Sequence, residues 1–358
     1  MKLLTNRVLA IGFRGWQLEY PQFSNQYNRF TVNATARGQI RDLPAFRRTL
    51  LTWYKRNRRD LPWRRTSDPY RIWLSEIMLQ QTRVAVVIER YEQFLKRFPS
   101  IQKLAAAREA SVLAEWSGLG YYRRARNLHA AAKVVLRDCA DDFPRTSAEL
   151  KSLPGIGRYT AAAIASIAFG EPIAVVDGNV ERVILRLFGG TESAGAGVWA
   201  TAEQMLCRDN PGDFNQAMME LGATVCVPAE PKCVDCPVRK FCRTQGRHSI
   251  VAKPRQIKRE IAYALARRAD SVLLTQRAST DSLMPAMWEL PQFTLRESDS
   301  DEELFSVRHS ITITNYTVRV LAPRGGLTGT WIKNSRLRTL PLTGLTKKIL
   351  RRAGIIQK

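Results

Sequence analysis

Four cysteines crowd into a 17-residue stretch of this chain and constrain its fold more than any other feature. They are Cys226, Cys233, Cys236 and Cys242, with the spacing C-x6-C-x2-C-x5-C. Four thiolates closing on one site suit a tetrahedral zinc ion or a cubane iron–sulfur cluster. Zinc ribbons more often use two separated C-x-x-C pairs, whereas this stretch has one. The spacing predicts a metal centre and leaves zinc, a cluster and a metal-free loop open.

The cysteine usage also indicates the compartment. The two other cysteines, Cys139 and Cys207, lie in helical, partly apolar segments and are expected to be core residues. A secreted disulfide scaffold would be short and cysteine-dense, and a chain of 358 residues with six cysteines is neither. We therefore expect a cytoplasmic protein with one metal site.

The charge balance points to a polyanionic partner. Lys and Arg number 56 against 32 Asp and Glu, which gives a formal net charge of +24. Such an excess favours nucleic acid, although a solvated basic surface that only aids solubility would look the same. We expect no membrane partner, because no stretch of 18 apolar residues occurs, and we expect a monomer.

Composition and residue patterning divide the chain into a tail, a helical domain, a linker and a domain with both strands and a helix. Residues 1–41 form a basic tail with the single acid Glu19, and an organellar transit segment or an early start codon are the alternatives. Residues 42–246 carry Ala-rich amphipathic stretches broken by Pro and Gly, which predict an all-α domain of roughly ten helices. A basic run at 247–259 reads as the linker, and residues 260–358 alternate as strands before a final helix.

A glycine turn precedes one of these helices. The segment LPGIGRYTAAAI at 153–164 contains Gly155 and Gly157 and runs straight into a helical pattern. Glycines let a backbone approach another surface closely, and exposed amides at a helix start can hold a phosphate. The turn therefore predicts sequence-independent DNA binding, against the alternative of a helix–helix turn without a ligand.

Two acids stand in unusual surroundings. Glu76 lies among Ile, Trp, Leu and Met in WLSEIMLQQTRV, so desolvation should raise its pKa and keep it protonated. A protonated carboxyl near neutral pH can act as a general acid. Asp177 follows an apolar run and precedes Gly178. For each acid the alternative is a structural role, and for Asp177 a helix N-cap is a strong one.

Several motifs occur in a characteristic order. They are DLPWR at 60–64, SEIMLQQTRV at 75–84, GLGYYRRARNLH at 118–129, LPGIGRYTAAAI at 153–164, VDGNVERV at 176–183 and the cysteine loop. Over residues 42–245 the chain resembles the adenine DNA glycosylases of the helix-hairpin-helix, endonuclease III superfamily. The resemblance implies that the cysteine loop, 226–242, holds one [4Fe-4S] cluster.

The resemblance also implies roles for single residues. Glu76 would protonate the leaving adenine and Asp177 would stabilise the cationic sugar. Tyr159 and Asn179 would support the two acids, and Trp63 and Arg64 would line the adenine pocket. The residues that would wedge into the duplex next to the flipped base are Leu79, Gln81, Thr82 and Tyr121. Adenine inside a base stack cannot be reached, so the enzyme must extrude it.

Position 159 separates two kinds of relative. Superfamily members that also cut the backbone place a Lys there, which forms a Schiff base with the sugar. This chain has Tyr159, so the resemblance implies hydrolysis of the N-glycosidic bond that leaves an abasic site, with little strand cleavage. The alternatives are an endonuclease III-like lyase and a catalytically silent DNA-binding module.

The last domain carries a weaker resemblance to the Nudix fold. MPAMWELPQF at 284–293 and TGLTKKIL near the C-terminus resemble that fold. The resemblance implies recognition of 8-oxoguanine by a loop in which His309 and Thr312, or Thr314, are the candidates, although His309 reads equally well as an ordinary strand residue. The fold class that follows is α + α/β with two domains. An all-α helix-hairpin-helix glycosylase domain with an iron–sulfur loop precedes a small α+β Nudix-like domain. The expected partner is double-stranded DNA with adenine mispaired with 8-oxoguanine or guanine, in base excision repair.

Overall fold

A computed structural model describes most of the chain beyond the basic tail. The described residues are 40, 42–139, 143–190, 196–245, 256–281, 284–293, 302–311, 314–323 and 325–357. Helices dominate up to residue 224 and strands dominate from residue 257. The fold is thus a helical assembly followed by a strand-containing region.

The helices of the first part follow one another with short connections. They are α1 (Leu43–Asn57), α2 (Pro69–Leu79), α3 (Val84–Arg97), α4 (Ile101–Ala105), α5 (Glu109–Trp116), α6 (Arg123–Asp138), α7 (Ser147–Leu150), α8 (Arg158–Phe169), α9 (Gly178–Phe188), α10 (Ala196–Met205) and α11 (Pro211–Thr224). In the described residues there are eleven rather than the roughly ten expected, since segments as short as four residues fold as single turns. No helix of the described part is both long and apolar enough to cross a membrane.

Helix α2 lies at the centre of the first part. Asp68 caps its start, where its side chain accepts from the amide of Tyr70 at 2.9 Å, and Pro69 occupies the first helical position. Tyr70 and all residues from Ile72 to Met78 are buried. The helix packs against α8, whose Ala161, Ile164 and Ala165 share its hydrophobic core. Ser75 and Glu76, which lie within this buried stretch, are consequently held in the interior.

The strand-containing region holds two small sheets and a helix. The strands are β1 (Ile257–Ala264), β2 (Arg267–Arg268), β3 (Ser271–Gln276), β4 (Trp288–Glu289), β5 (Gln292–Phe293), β6 (Glu302–Ile311), β7 (Thr314–Ala322) and β8 (Thr330–Lys333). One sheet has the order β5-β1-β7-β6, with β1 parallel to β7, and the other joins β2, β3 and β4, with β8 also paired to β3. Helix α12 (Gly344–Arg352) follows.

The expected strands and final helix are therefore present. Strand β1 starts at Ile257, inside the segment expected as a linker, because its first residues pair with Thr314 and its successors on β7. The rest of that segment, 247–255, lies outside the described residues, as do residues 1–39 of the expected tail.

One backbone carbonyl joins the strand-containing region to the helical part. The oxygen of Leu342 accepts from the hydroxyl of Ser117 at 2.8 Å and lies 3.1 Å from that of Tyr122. Both donors are buried, and they stand on either side of the turn 118–121. Met287 is fully buried in the helical core as well. The C-terminal region thus contacts the segment that connects α5 to α6.

Candidate active site

Glu76 is a buried carboxylic acid in the middle of α2. It is 6% exposed, since it lies within the fully covered stretch from Ile72 to Met78. Burial raises its pKa to about 7, with a further rise from the charge of Asp177, against lowering by a hydrogen bond from Tyr159 and the charge of Arg64. A carboxyl with this pKa is substantially protonated at neutral pH. The desolvation expected from its apolar neighbours is confirmed.

Tyr159 stands in the first turn of α8 and faces Glu76. Its hydroxyl donates to Glu76 Oε2 at 2.8 Å and lies 3.4 Å from the sulfur of Met219 on α11. Burial, followed by the charges of Glu76 and Asp177, raises the pKa of Tyr159 well above its usual value. The phenol therefore stays protonated and remains a donor.

Asp177 is the N-cap of α9, the structural alternative that the sequence offered, and both of its carboxylate oxygens accept hydrogen bonds. Its Oδ1 accepts from the amide of Val180 at 2.7 Å, and its Oδ2 accepts from Asn179 Nδ2 at 2.9 Å. Arg182 in turn donates to Asn179 Oδ1 at 2.9 Å and to the carbonyl of Cys226 at 2.9 Å. A continuous line of hydrogen bonds consequently connects Asp177 to the start of the cysteine loop.

The four cysteine thiols of the 226–242 loop line one small cavity. Arg186, nearly fully buried on α9, donates to the carbonyls of Val227 at 2.8 Å and Pro228 at 2.6 Å, and its Nη1 lies 3.4 Å from Cys226 Sγ. Burial, opposed by a backbone hydrogen bond, raises the pKa of Cys236 to about 11, and the other thiols add to the rise. Among the described residues, no group of three or more His, Cys, Asp or Glu side chains is placed to hold a single metal ion.

Two of the residues expected at a wedge have a left-handed backbone. Gln81 has φ 54° and Tyr121 has φ 47°, and neither is a glycine. Each such conformation costs about 1–3 kcal/mol and persists only where the surroundings enforce it. Tyr121 is 40% exposed. Leu79 ends α2 half-buried, and Thr82 follows the Gln81 turn with its hydroxyl 3.1 Å from Arg124.

The pocket candidates Trp63 and Arg64 lie on a short 3₁₀ helix, Pro62–Arg64. Trp63 is 7% exposed and packs edge-on against Tyr91, with ring centroids 5.5 Å apart. Arg64 forms a 2.8 Å ion pair with the buried Glu220. Arg64 is close enough to Glu76 to lower its pKa, and the role of both residues in binding adenine stays a prediction.

The glycine turn has the geometry that its sequence predicted. Gly155 has φ +77°, and a Cβ there would lie 2.5 Å from the Cβ of Asn127 on α6. Gly157 is the N-cap of α8, without a side chain to cap it, and a Cβ there would meet nothing within 4 Å. The turn needs the first glycine for its own packing and leaves the second open to the exterior.

The candidate lesion-recognition residues are described in part. His309 lies on β6 opposite Tyr316, and burial, together with the charge of Lys348, lowers its pKa. Thr314 begins β7 and is buried. Thr312 lies outside the described residues.

Sequence reasoning missed several buried or half-buried charged groups around the site. Arg124, Arg182, Arg186 and Glu220 each make several hydrogen bonds to the segments that carry the candidate residues. Three of them are among the 56 basic residues of a strongly basic chain. No local pattern distinguishes these three arginines from exposed ones.

Comparison with known proteins places the chain in a class. Residues 74–206 match the family model "HhH-GPD superfamily base excision DNA repair protein", a range that contains Glu76, Tyr159 and Asp177. A solved structure described as a thermostable thymine-DNA glycosylase is 33% identical, with a TM-score of 0.54 over 57% of this chain and 96% of that one. The chain belongs to the HhH-GPD superfamily. A trapped endonuclease III–DNA intermediate, 22% identical with a TM-score of 0.51 over 58% of this chain and 97% of that one, shares the fold.

Within that class the chain is similar to adenine DNA glycosylases. The human adenine DNA glycosylase is 46% identical over 222 residues, which are 58% of this chain and 41% of the relative. The enzyme of Buchnera aphidicola subsp. Baizongia pistaciae is 41% identical over 203 residues, which are 56% of this chain and 58% of that relative. The chain spans less than half of the length of the human relative. The resemblance predicted from the motifs is confirmed.

Proposed function

We propose that this protein is a monofunctional adenine DNA glycosylase of base excision repair, acting on adenine mispaired with 8-oxoguanine or guanine. One observation carries the proposal: Glu76 is a buried acid with a pKa of about 7, hydrogen-bonded by Tyr159 and next to the charge of Asp177. Two carboxyls with different environments are what glycosidic cleavage requires. Relatives named adenine DNA glycosylase support adenine as the base that is removed.

The two carboxyls divide the chemistry. Protonated Glu76 gives its proton to a ring nitrogen of the leaving adenine, which makes the base a neutral leaving group. Positive charge then develops on the deoxyribose, and the Asp177 carboxylate stabilises it. Asn179 and the amide of Val180 each hold one oxygen of Asp177, so the carboxylate is fixed before the charge forms. Water completes the hydrolysis at the sugar carbon and leaves an abasic site.

Tyr159 supports base removal without strand cleavage. A lyase needs an amine to form a Schiff base with the sugar, and a phenol cannot form one. The hydroxyl of Tyr159 instead donates to Glu76, which orients the acid. We therefore propose a hydrolase rather than an endonuclease III-like lyase.

The cysteine loop fits an iron–sulfur cluster. Four thiols surround one cavity and repel one another as thiolates, so a cationic centre between them would relieve that repulsion. The loop has one C-x2-C pair, Cys233 and Cys236, rather than the two separated pairs more common in zinc ribbons, which favours a cluster over zinc. Cys226, Cys233, Cys236 and Cys242 would hold one [4Fe-4S] cluster, and its contribution when bound would be structural.

The DNA-binding role rests on charge and on three turns. The net charge of +24 would neutralise phosphates. Gly157 leaves the amides at the start of α8 open to a phosphate, while Gln81 and Tyr121 stand at sharp turns from which side chains could fill the space of an extruded base.

For the strand-containing region we propose a Nudix-like recognition module for 8-oxoguanine. Its two small sheets with a helix agree with the α+β expectation, and it contacts the helical part at Leu342. His309, Thr312 and Thr314 are the candidate recognition residues.

The test is a single-turnover excision assay with a panel of duplexes. Adenine is placed opposite 8-oxoguanine, guanine or thymine, and thymine opposite guanine serves as a further substrate. We expect strand breaks only after hot alkali and only in the two adenine mispairs. Glu76→Gln should lose on the order of 100-fold or more in rate while still binding the duplex. Excision from the thymine–guanine duplex alone would favour a thymine glycosylase, and breaks without alkali would favour a lyase.

A further inference from the structure

Arg124 on α6 connects two turns that are far apart in sequence. Its Nη1 donates to carbonyls at the end of α2, and its Nη2 donates to carbonyls of the α5–α6 turn. The acceptors are Ile77 O at 2.8 Å, Met78 O at 3.1 Å and Gln80 O for Nη1, and Leu119 O at 3.0 Å and Gly120 O at 3.2 Å for Nη2. A single guanidinium thus ties residues 77–80 to residues 119–120.

Each of these turns leads directly into a strained residue. The carbonyls of Met78 and Gln80 precede Gln81, and the carbonyls of Leu119 and Gly120 precede Tyr121. Both Gln81 and Tyr121 have positive φ. Non-glycine residues keep such a backbone only where neighbouring contacts determine it. Arg124 supplies those contacts on both sides.

The guanidinium also touches one of the side chains. Its carbon lies 5.4 Å from the ring centroid of Tyr121 and 5.5 Å from that of Trp116. Planar cation–ring contacts fix the orientation of an aromatic side chain. Arg124 thereby determines where the Tyr121 ring points as well as how its backbone turns.

Stability alone does not account for this arrangement. Within the described residues Arg124 has no carboxylate partner, and its buried Nε has no hydrogen-bond partner. Burial, opposed by Tyr121, lowers its pKa to about 10. All five of its carbonyl acceptors lie on the two turns that lead into Gln81 and Tyr121. A geometric role explains the residue better.

We infer that Arg124 is a positioning residue for base extrusion: it locks the Gln81 and Tyr121 turns together, so that the two side chains enter the duplex as one rigid unit. The inference rests on the proposed function, because extrusion is what a wedge would serve. Loss of the Arg124 hydrogen bonds should slow extrusion, while the surroundings of Glu76 should stay unchanged.

The first experiment measures extrusion without excision. All proteins carry Glu76→Gln, and the duplex carries 2-aminopurine beside the target adenine, whose fluorescence rises when the stack opens. We expect Arg124→Gln to lose most of the rise and Arg124→Lys, which keeps the charge with fewer donors, to lose part of it. Arg123→Gln removes an exposed charge one residue earlier on α6 and should keep the signal.

The second experiment is a double-mutant cycle on the excision rate. Arg124→Gln should lower the single-turnover rate on the order of 100-fold in the wild-type background. In a Tyr121→Ala background it should lower the rate by no more than about threefold further, since coupled residues are non-additive. The alkaline limb of the pH profile should stay where it is, which a disturbed Glu76 would not allow.

Each outcome separates this inference from the proposed function. An inactive wild-type protein would contradict the proposed function, yet the fluorescence signal would still report whether Arg124 affects extrusion. Additive losses in the cycle, a shifted pH limb, or equal fluorescence from the parent and Arg124→Gln would overturn the inference. A missing signal from the parent protein would overturn it as well. Arg124→Lys provides the same comparison if the Gln variant unfolds.

Discussion

The Tyr159 hydroxyl donates a 2.8 Å hydrogen bond to Glu76 Oε2, across the contact between α8 and α2. Burial and this hydrogen bond shift the pKa of Glu76 in opposite directions. Burial raises the pKa of Glu76, and the hydrogen bond from Tyr159 partly lowers it again, to about 7. The pair thus sets the pH at which the acid holds a proton.

The rate of base excision should depend on the protonation of Glu76. Because the acid works in its protonated form and its pKa is about 7, the rate should be high below that pH and fall as the pH rises through it. Single-turnover rates between about pH 5 and 9 would measure this limb. A flat profile over that interval would remove Glu76 from the role of the acid.

Tyr159→Phe should move the same limb to higher pH. The substitution removes a hydrogen bond that lowers the pKa of Glu76, so the pKa should rise and the acid should stay protonated further into the alkaline range. The pH profile of the variant, compared with the parent profile, is the measurement. A limb that moves to lower pH would contradict the direction assigned to this bond.

Arg186→Gln should destabilise the cysteine loop. The guanidinium, nearly fully buried itself, donates to the carbonyls of Val227 and Pro228, and the substitution removes both hydrogen bonds. We expect a loss of about 3 kcal/mol in the free energy of unfolding. Denaturant unfolding would measure the loss of stability, and the visible absorbance of a bound cluster would report on the cysteine loop. Arg239→Gln, on the rim of the same cavity, is the control and should change the stability little.

The Leu342 carbonyl should anchor the C-terminal region through two hydroxyls. Ser117→Ala and Tyr122→Phe each remove one buried donor to this oxygen and should each cost about 1 kcal/mol. Removing both leaves the carbonyl unsatisfied and should cost more than either single change. Hydrogen exchange in residues 340–350 would report the loosening, and unchanged protection in the double variant would argue against the anchor.

The two glycines of the α7–α8 turn should respond differently to alanine. Gly155→Ala places a Cβ 2.5 Å from that of Asn127 at a positive φ and should cost at least about 1–2 kcal/mol. Gly157→Ala has open space and should leave the stability nearly unchanged, but it should weaken duplex binding if a phosphate approaches this backbone. Thermal unfolding and a binding titration distinguish the two. Equal effects on stability would contradict the assignment.

Local patterns predicted much of this protein. Helical periodicity, the glycine turn and the alternating strands are properties of neighbouring residues, so the sequence reveals them, and the structure contains them. The burial of Glu76 was predictable for the same reason, because six apolar residues surround it within one helical segment. Motif order then indicated the superfamily before any contact was known.

Contacts between distant segments were decided by the tertiary structure alone. Whether an arginine is exposed or buried depends on what packs over it, and Arg124 looks like its neighbour Arg123 in the sequence. Its partners at residues 77–80 come within reach only when α2 and α6 pack together. The pairing of Tyr159 with Glu76 likewise spans 83 residues. The sequence determines which groups and local elements exist, whereas only packing determines which groups meet, and those meetings set the pKa values, the strained turns and the chemistry.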